Sequence, residues 1–389
     1  MTDLDALVIG AGPAGSAVAA GLARDGARVM LVEAARHPRP KACAEYASPR
    51  IVEELARLGL PPASWIGRAV PLDGMEMHAG GHAARVTYAD GHGARQAWGV
   101  DRRSFDALLA QHASGCGAEL REGLRAFGLI HDRGRVAGAL LRGPSGTTET
   151  VGADVVVGAD GARSVVARLL GVESPVRFPR RLGLVAHHEG VAGLADHGEM
   201  HVGAGYYVGL APTPGGELNV GMALPMNGSG SATHRFEAAI DGLPAVASRL
   251  TGSRRISPIR GASPIGHRVA HVAGPGWLLV GDAAGFVDPF TGEGIHRALR
   301  SARAAVDAVR AGGDVGATYR AERRRALAAK SALSWVVQAF LAAPPLLEHA
   351  IARLEKRPEA ALRLGSALGD CRPASDALSP RAVLEVLAP

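Results

Sequence analysis

The chain has 389 residues, which is too long for one ordinary hydrophobic core and long enough for two or three subdomains. Its apolar fraction of 47% and charged fraction of 21% fit a folded globular protein and exclude disordered or fibrous classes. The net charge of +6 raises the question of nucleic acid, but the arginines scatter among Ala and Gly, and the densest run, Arg320 to Arg325, includes Glu322. A solvated helix face accounts for that run, so no nucleic-acid partner is expected.

Three cysteines, Cys43, Cys116 and Cys371, leave an odd count, and no pair has metal or redox-motif spacing. No disulfide framework is expected, and a reducing cytoplasm is the expected location. No signal peptide is visible, and no run reaches the about 18–20 apolar residues of a membrane span. The longest apolar stretch, Trp335 to Ile351, is broken by Gln338, Pro344-Pro345 and Glu348-His349.

Residues 5–9 read as a buried strand. Gly10-Ala-Gly12-Pro13-Ala14-Gly15 follows, then a helix from Ser16 to Arg24 that Gly26 ends. Ala27 to Val32 reads as a second strand, with Glu33 and Ala34 at its end. Gly10 allows a tight turn, Gly12 lets the backbone approach a diphosphate, and Gly15 lets the helix pack on the sheet. The helix start offers free N–H groups and partial positive charge to that diphosphate. Glu33 suits the two hydroxyls of an adenosine ribose and disfavours a 2′-phosphate. A dinucleotide site follows, with the choice between NAD and FAD left open at this point.

Later motifs bear on that choice. Val155-Val-Val-Gly158-Ala-Asp160-Gly161-Ala-Arg163-Ser164 reads as a strand, a turn and a helix start. Gly276 to Ile295 holds a strand ending in Gly281-Asp282, then Pro289, Gly292 and Gly294 in a bent turn into a long helix. A carboxylate at Asp282 suits the ribityl hydroxyls of a flavin. N–H groups at the helix start, near Gly294 and Ile295, suit the negative charge of a reduced flavin ring. No second G-x-G-x-x-G is present, so a nicotinamide donor has no dedicated domain.

These three motifs, in this order, resemble para-hydroxybenzoate hydroxylase-like flavoproteins. Within that group, Pro289 to Ile295 and Lys41-Ala-Cys43-Ala-Glu45-Tyr46-Ala-Ser-Pro49 look most like the geranylgeranyl reductase family, whose relatives include flavin-dependent halogenases and polyketide hydroxylases. The resemblance runs from about residue 4 to about residue 310. It implies an α/β (α+β) fold: a discontinuous Rossmann-like FAD domain, 1–72, 99–175 and 258–320, with an antiparallel substrate sheet, 73–98 and 176–257. Residues 321–389 are expected as a helical cap over the substrate cavity, with Leu327, Leu333, Val337, Phe340 and Leu341 lining one side. The resemblance also implies non-covalent FAD, Arg102 at its phosphates, and Cys43 beside the flavin. Cys43, Glu45, Tyr46 and His296 are the catalytic candidates. NAD(P)H is implied as a transient donor, with Arg163 a candidate contact.

Reductases of this family carry a Tyr-x-Trp-x-Phe-Pro-like strand, where this chain has Tyr207-Val-Gly209-Leu-Ala211-Pro212. Gly209 and Ala211 thus open the substrate pocket, as in the hydroxylase-type relatives. The favoured reading is a monooxygenase that uses O2 and a flavin C4a-hydroperoxide on a bulky apolar or aromatic molecule. A C=C reductase using hydride from flavin N5 is the alternative, and a non-catalytic flavin-binding protein the third. Peripheral membrane contact is compatible with a lipophilic substrate. The pairs His187-His188, His197-x3-His201 and His267-x3-His271 have no acid that completes a ligand set, and no metal is expected.

Overall fold

The computed structural model describes residues 4–387; residues 1–3 and 388–389 of the expected outer segments lie outside the described residues. Strand Leu4–Ile9 lies between Val29–Glu33 and Thr148–Gly158, parallel to both. Glu119–Glu122 pairs in parallel with Val29–Glu33, and Trp277–Leu279 with Thr148–Gly158. The register sets Ile9 beside Val32 and Gly158, and Gly158 beside Leu279. Gly10, Glu33, Ala159 and Gly281 therefore all leave the sheet at one carboxyl edge, where open α/β sheets bind their ligands. Three motifs up to 270 residues apart become neighbours through that register.

Alternation along the strands divides the core in two. Ala6 and Val8 face helices Pro13–Arg24, Arg102–Gly115 and Gly294–Ala311. Leu7 and Ile9 face the meander Arg125–Asp132, Arg135–Arg142 and the first half of Thr148–Gly158. A mixed α/β Rossmann-like fold is the result, as the motifs implied.

A second sheet runs in the order Arg254–Arg255, Arg181–Glu189, Glu217–Pro225, Tyr207–Thr213, Gly198–Val202, Met75–Ala79, His82–Val86. It is antiparallel except where Gly198–Val202 meets Met75–Ala79. Helices Ala232–Asp241 and Pro244–Arg249 cover one side through Phe236, Ala239 and Val246.

Several boundaries differ from expectation. Arg260–Ala262 pairs with Arg181–Glu189, so the second sheet recruits a strand from beyond residue 258. The 320/321 division falls inside one unbroken helix, Val315–Ala342. The helices after it do not cap the cavity described below. Leu341, Leu347, Ile351 and Leu354 instead pack on Met77, Ala79, Ala84 and Val86, because those two short strands would otherwise expose an apolar face. Among the described residues no single helix is long and apolar enough to cross a membrane.

Candidate functional site

A cavity of about 590 Å³ opens between the carboxyl edge of the first sheet and one face of the second. That volume lies in the range of small-molecule sites. The first wall contains Gly10, Gly12, Pro13, Ala14, Glu33 and Ala34, with Asp160, Gly161, Gly281, Asp282, Pro289, Gly292, Gly294 and Ile295 beside them. Cys43, Glu45, Tyr46 and Arg102 lie along its side, and Tyr207, Gly209 and Ala211 stand on the second sheet.

The first wall fits a flavin dinucleotide. Gly10 has φ +106°, and a Cβ there would stand 2.5 Å from the Ala159 carbonyl oxygen. Gly15 does not line the cavity; a Cβ there would be 1.8 Å from the Gly10 oxygen, so it serves turn–helix packing. Gly12 is different: its missing side chain faces space that only the Arg39 guanidinium borders, at 3.7 Å. No side chain caps the helix that starts at Pro13, which leaves its first N–H groups for a diphosphate. Glu33 is fixed by the N–H groups of Ala11 (3.0 Å) and Ala35 (3.1 Å) and by Arg39 (3.2 Å). The Asp282 carboxylate accepts no hydrogen bond from a described residue, so it is open to hydroxyl donors in the cavity.

Four expected roles change on inspection. Asp160 accepts from Ser164 Oγ (2.6 Å) and from the N–H groups of Val165 (2.7 Å) and Val166 (3.2 Å), so its carboxylate caps helix Val165–Leu169. Arg102 spends its guanidinium on Asp106, at 2.8 and 2.9 Å, and on Cys43 Sγ at 3.2 Å, rather than extending to a phosphate. The Tyr46 hydroxyl meets Tyr88 at 2.6 Å and the Gly74 carbonyl at 3.1 Å. Burial, with Tyr88 adding to it, pushes its pKa well above the usual tyrosine value, and its hydroxyl is spent on these two partners. His296 points away from the cavity and pairs with Asp370 at 2.8 Å. Its position directly after the glycine turn suggested the flavin; one residue of helical rotation turns it to the far side.

Glu45 stays at the cavity wall, and its neighbours were not legible in the sequence. It is a buried non-glycine residue at φ +57°, a conformation that side chains rarely adopt. One carboxylate oxygen accepts from the Arg102 N–H at 3.1 Å. The other meets His187 Nε2 at 2.7 Å and Asn219 Nδ2 at 3.1 Å. Asn219 also donates to the Cys43 carbonyl at 3.0 Å. His187 and Asn219 are register partners on adjacent strands of the second sheet.

The second sheet grips the glycine turn through Asp288. Its carboxylate accepts from the Tyr207 hydroxyl (2.6 Å), Arg181 Nη1 (2.5 Å) and the Phe290 N–H (3.0 Å). Tyr207 meets Phe290 edge to face at 5.1 Å between ring centres. Beyond this lock, Gly183, Gly209, Ala211 and Gly221 keep the sheet face low, with Met75, Met200 and Ile265 around them.

A family model described as an FAD binding domain matches residues 3–241. The chain belongs to this FAD-binding family. It is an FAD-dependent oxidoreductase, and its first wall offers a cradle that fits the cofactor. It is 32% identical to a menaquinone reductase of Mycolicibacterium smegmatis over 324 residues, 80% of this chain and 78% of that one. It is 31% identical to a digeranylgeranylglycerophospholipid reductase of Methanosarcina acetivorans, over 78% of this chain and 74% of that one. In fold it matches a flavin-dependent brominase (TM-score 0.83, 20% identity, 98% of both chains). It also matches a geranylgeranyl bacteriochlorophyll reductase-like protein of Thermoplasma acidophilum (TM-score 0.80, 23% identity, 99% of this chain and 96% of that one). Both reductases and halogenases thus share this flavoprotein fold.

Outside the cradle, this FAD-binding chain brings His78, Glu199 and His201 together with ligand atoms within 4.8 Å of one another. The two imidazoles stack at 4.3 Å with planes 4° apart. Glu199 is also engaged by Arg249 at 2.9 Å, which makes the group an ion-pair ladder between strands.

Proposed function

We propose that this chain is an FAD-dependent reductase that saturates a C=C bond in a long, apolar, prenyl-type substrate. The observation that carries the reading is the low, glycine-lined sheet face continuous with the flavin cradle. Gly183, Gly209, Ala211 and Gly221 leave a slot that suits a flexible hydrocarbon chain. Relatives above 30% identity support it: both named above are reductases, and the name of the digeranylgeranylglycerophospholipid reductase denotes a substrate with prenyl chains. Bound without a covalent link, FAD would supply hydride from its reduced form.

The protein's own residues supply the rest. The helix start at Pro13 and the Glu33 carboxylate would hold the cofactor's ADP half. Asp282 would hold the ribityl chain, and the start of helix Gly294–Ala311 would supply N–H groups and partial positive charge to the ring. The Asp288 lock sets the distance between the glycine turn and the substrate face. Arg163, exposed where it lines the cavity, is placed to contact a transient nicotinamide donor. The apolar face excludes water from the reacting bond.

Oxygen transfer is the competing reading. Gly209 and Ala211 line the cavity and would admit a bulky oxygenation substrate equally well. Product analysis separates the two. Incubation with NADH or NADPH and a geranylgeranyl-chain lipid should give a product with two added hydrogens per reduced bond. A product that gains oxygen instead would overturn the reductase reading.

A further inference from the structure

A reduction of C=C needs a proton as well as a hydride, and an apolar cavity holds few proton sources. We propose that His187 is the positioning residue through which solvent supplies that proton, passing it to the cavity by way of Glu45. The inference rests on the reductase reading and extends it to residues outside the cofactor cradle.

The geometry that carries it is a two-member chain from surface to wall. Glu45 is 2% exposed and belongs to the cavity lining. His187 does not line the cavity, and its side chain is 21% exposed. The two meet at 2.7 Å, a short charge-assisted contact. Asn219 donates to the same carboxylate oxygen and so fixes the side chain from below. The left-handed backbone of Glu45 aims its carboxylate back at the second sheet. Such strain persists when surrounding structure over-determines it, and it concentrates at working sites.

The balance of the step is as follows. A hydride, with both electrons, would come to one alkene carbon from bound reduced FAD. The C=C π pair forms a C–H bond to a proton at the other carbon. His187 Nε2 gives its proton to Glu45 as Glu45 passes one to that carbon, and water at the exposed side of His187 replaces it. Oxidised flavin and the saturated substrate remain, and one proton has been drawn from solvent.

The charged surroundings favour a protonated His187. The hydrogen bond to Glu45 raises its pKa above the ordinary histidine value, against the opposing effect of burial, with Glu217 and Asp101 adding to the rise. The groups facing it from neighbouring elements are Glu45, Asn219 and Ser257, with His188, Arg254 and Arg255 further along the same edge.

Two measurements test this. The first uses the FAD-bound protein with isotopically labelled histidine and follows the His187 ring by NMR titration. Wild type should titrate above the ordinary histidine value, and Glu45→Gln should move that titration down. An unraised His187, or one indifferent to Glu45→Gln, overturns the relay. The second measures flavin reoxidation by a geranylgeranyl-chain lipid in the anaerobically reduced holoenzyme, for wild type and His187→Gln of equal FAD content. The variant should lose about 100-fold in kcat, in line with general acid catalysis, with KM little changed. It should also lose the decline in rate at alkaline pH that wild type shows as His187 deprotonates. A wild-type rate and pH profile in His187→Gln overturn the relay. If wild type itself fails to reduce the lipid, the reductase reading fails, and the NMR titration alone then decides whether His187 and Glu45 form a proton-bearing pair.

Discussion

Replacing Asp288 should damage both stability and cofactor binding, because one carboxylate ties the glycine turn to the substrate sheet. The carboxylate side chain is 2% exposed, and Arg181, its partner, is 11% exposed. Asp288→Ala leaves the Arg181 guanidinium buried with Gln338 as its remaining acceptor, and strands the Tyr207 hydroxyl. Breaking one partner out of a buried ion pair costs about 3–5 kcal/mol. Asp288→Asn keeps an oxygen for Tyr207 and the Phe290 N–H but loses the charge, so its cost should be smaller, about 1.5–3 kcal/mol. Tyr207→Phe removes one bond from a carboxylate that retains two others and should cost less again. Equilibrium urea unfolding of the apoproteins gives the three values, and flavin fluorescence titration gives FAD affinity. The order Ala, Asn, Phe should hold in unfolding, and FAD affinity should fall with Asp288→Ala because the turn borders the cradle. A stability change within about 0.5 kcal/mol for Asp288→Ala, the size of an ordinary surface substitution, would refute the reasoning.

The remaining expectations concern the cradle, the wall and the buried ion cluster. Asp282→Ala should weaken FAD binding by about 1.5–3 kcal/mol, the worth of a hydrogen bond to a charged group. Asp160→Ala should instead lower thermal stability with a smaller effect on FAD, since it caps a helix; equal FAD loss in the two variants would sink that ranking. Gly209→Trp should keep FAD content and abolish product. A Cβ there already meets the Met200 methyl at 3.3 Å, so the ring must enter the cavity, and unchanged turnover would remove Gly209 from the substrate wall. Asp370 is held well below the usual carboxylate range: burial alone would raise it, but Lys330 and His296 outweigh that. Its stabilisation is therefore complete above the ordinary carboxylate pKa and is lost as pH falls through the lowered value. Acid unfolding should be shallower in Asp370→Asn than in wild type, and identical pH slopes would count against the cluster.

The glycine turns that line the first wall were legible because they are local. Gly10 to Gly15 specify a turn and a helix start within a few residues, and strand ends at Gly158 and Leu279 announce the turns that follow. The side chains that do more than one job were not legible. Arg102 and Asp160 stand at the cavity wall, yet Asp106 engages the guanidinium of the first and the Val165 N–H the carboxylate of the second. His187, Asn219, Arg181 and Asp288 gave no local signal, because strand register and tertiary packing alone bring them to Glu45 and Tyr207. The cap expectation failed for a similar reason. The apolar stripe of the last helices was read correctly as a buried face, but its partner is the Met77 and Val86 edge and not the cavity.

The most direct test of the account is anaerobic. The bound flavin is reduced under nitrogen and mixed with a geranylgeranyl-chain lipid, and its absorbance is followed before any air is admitted. The account expects the oxidised flavin spectrum to return without oxygen, with one reduced C=C bond per flavin. A flavin that stays reduced until air enters, then passes through a C4a-adduct spectrum to an oxygenated product, would contradict it.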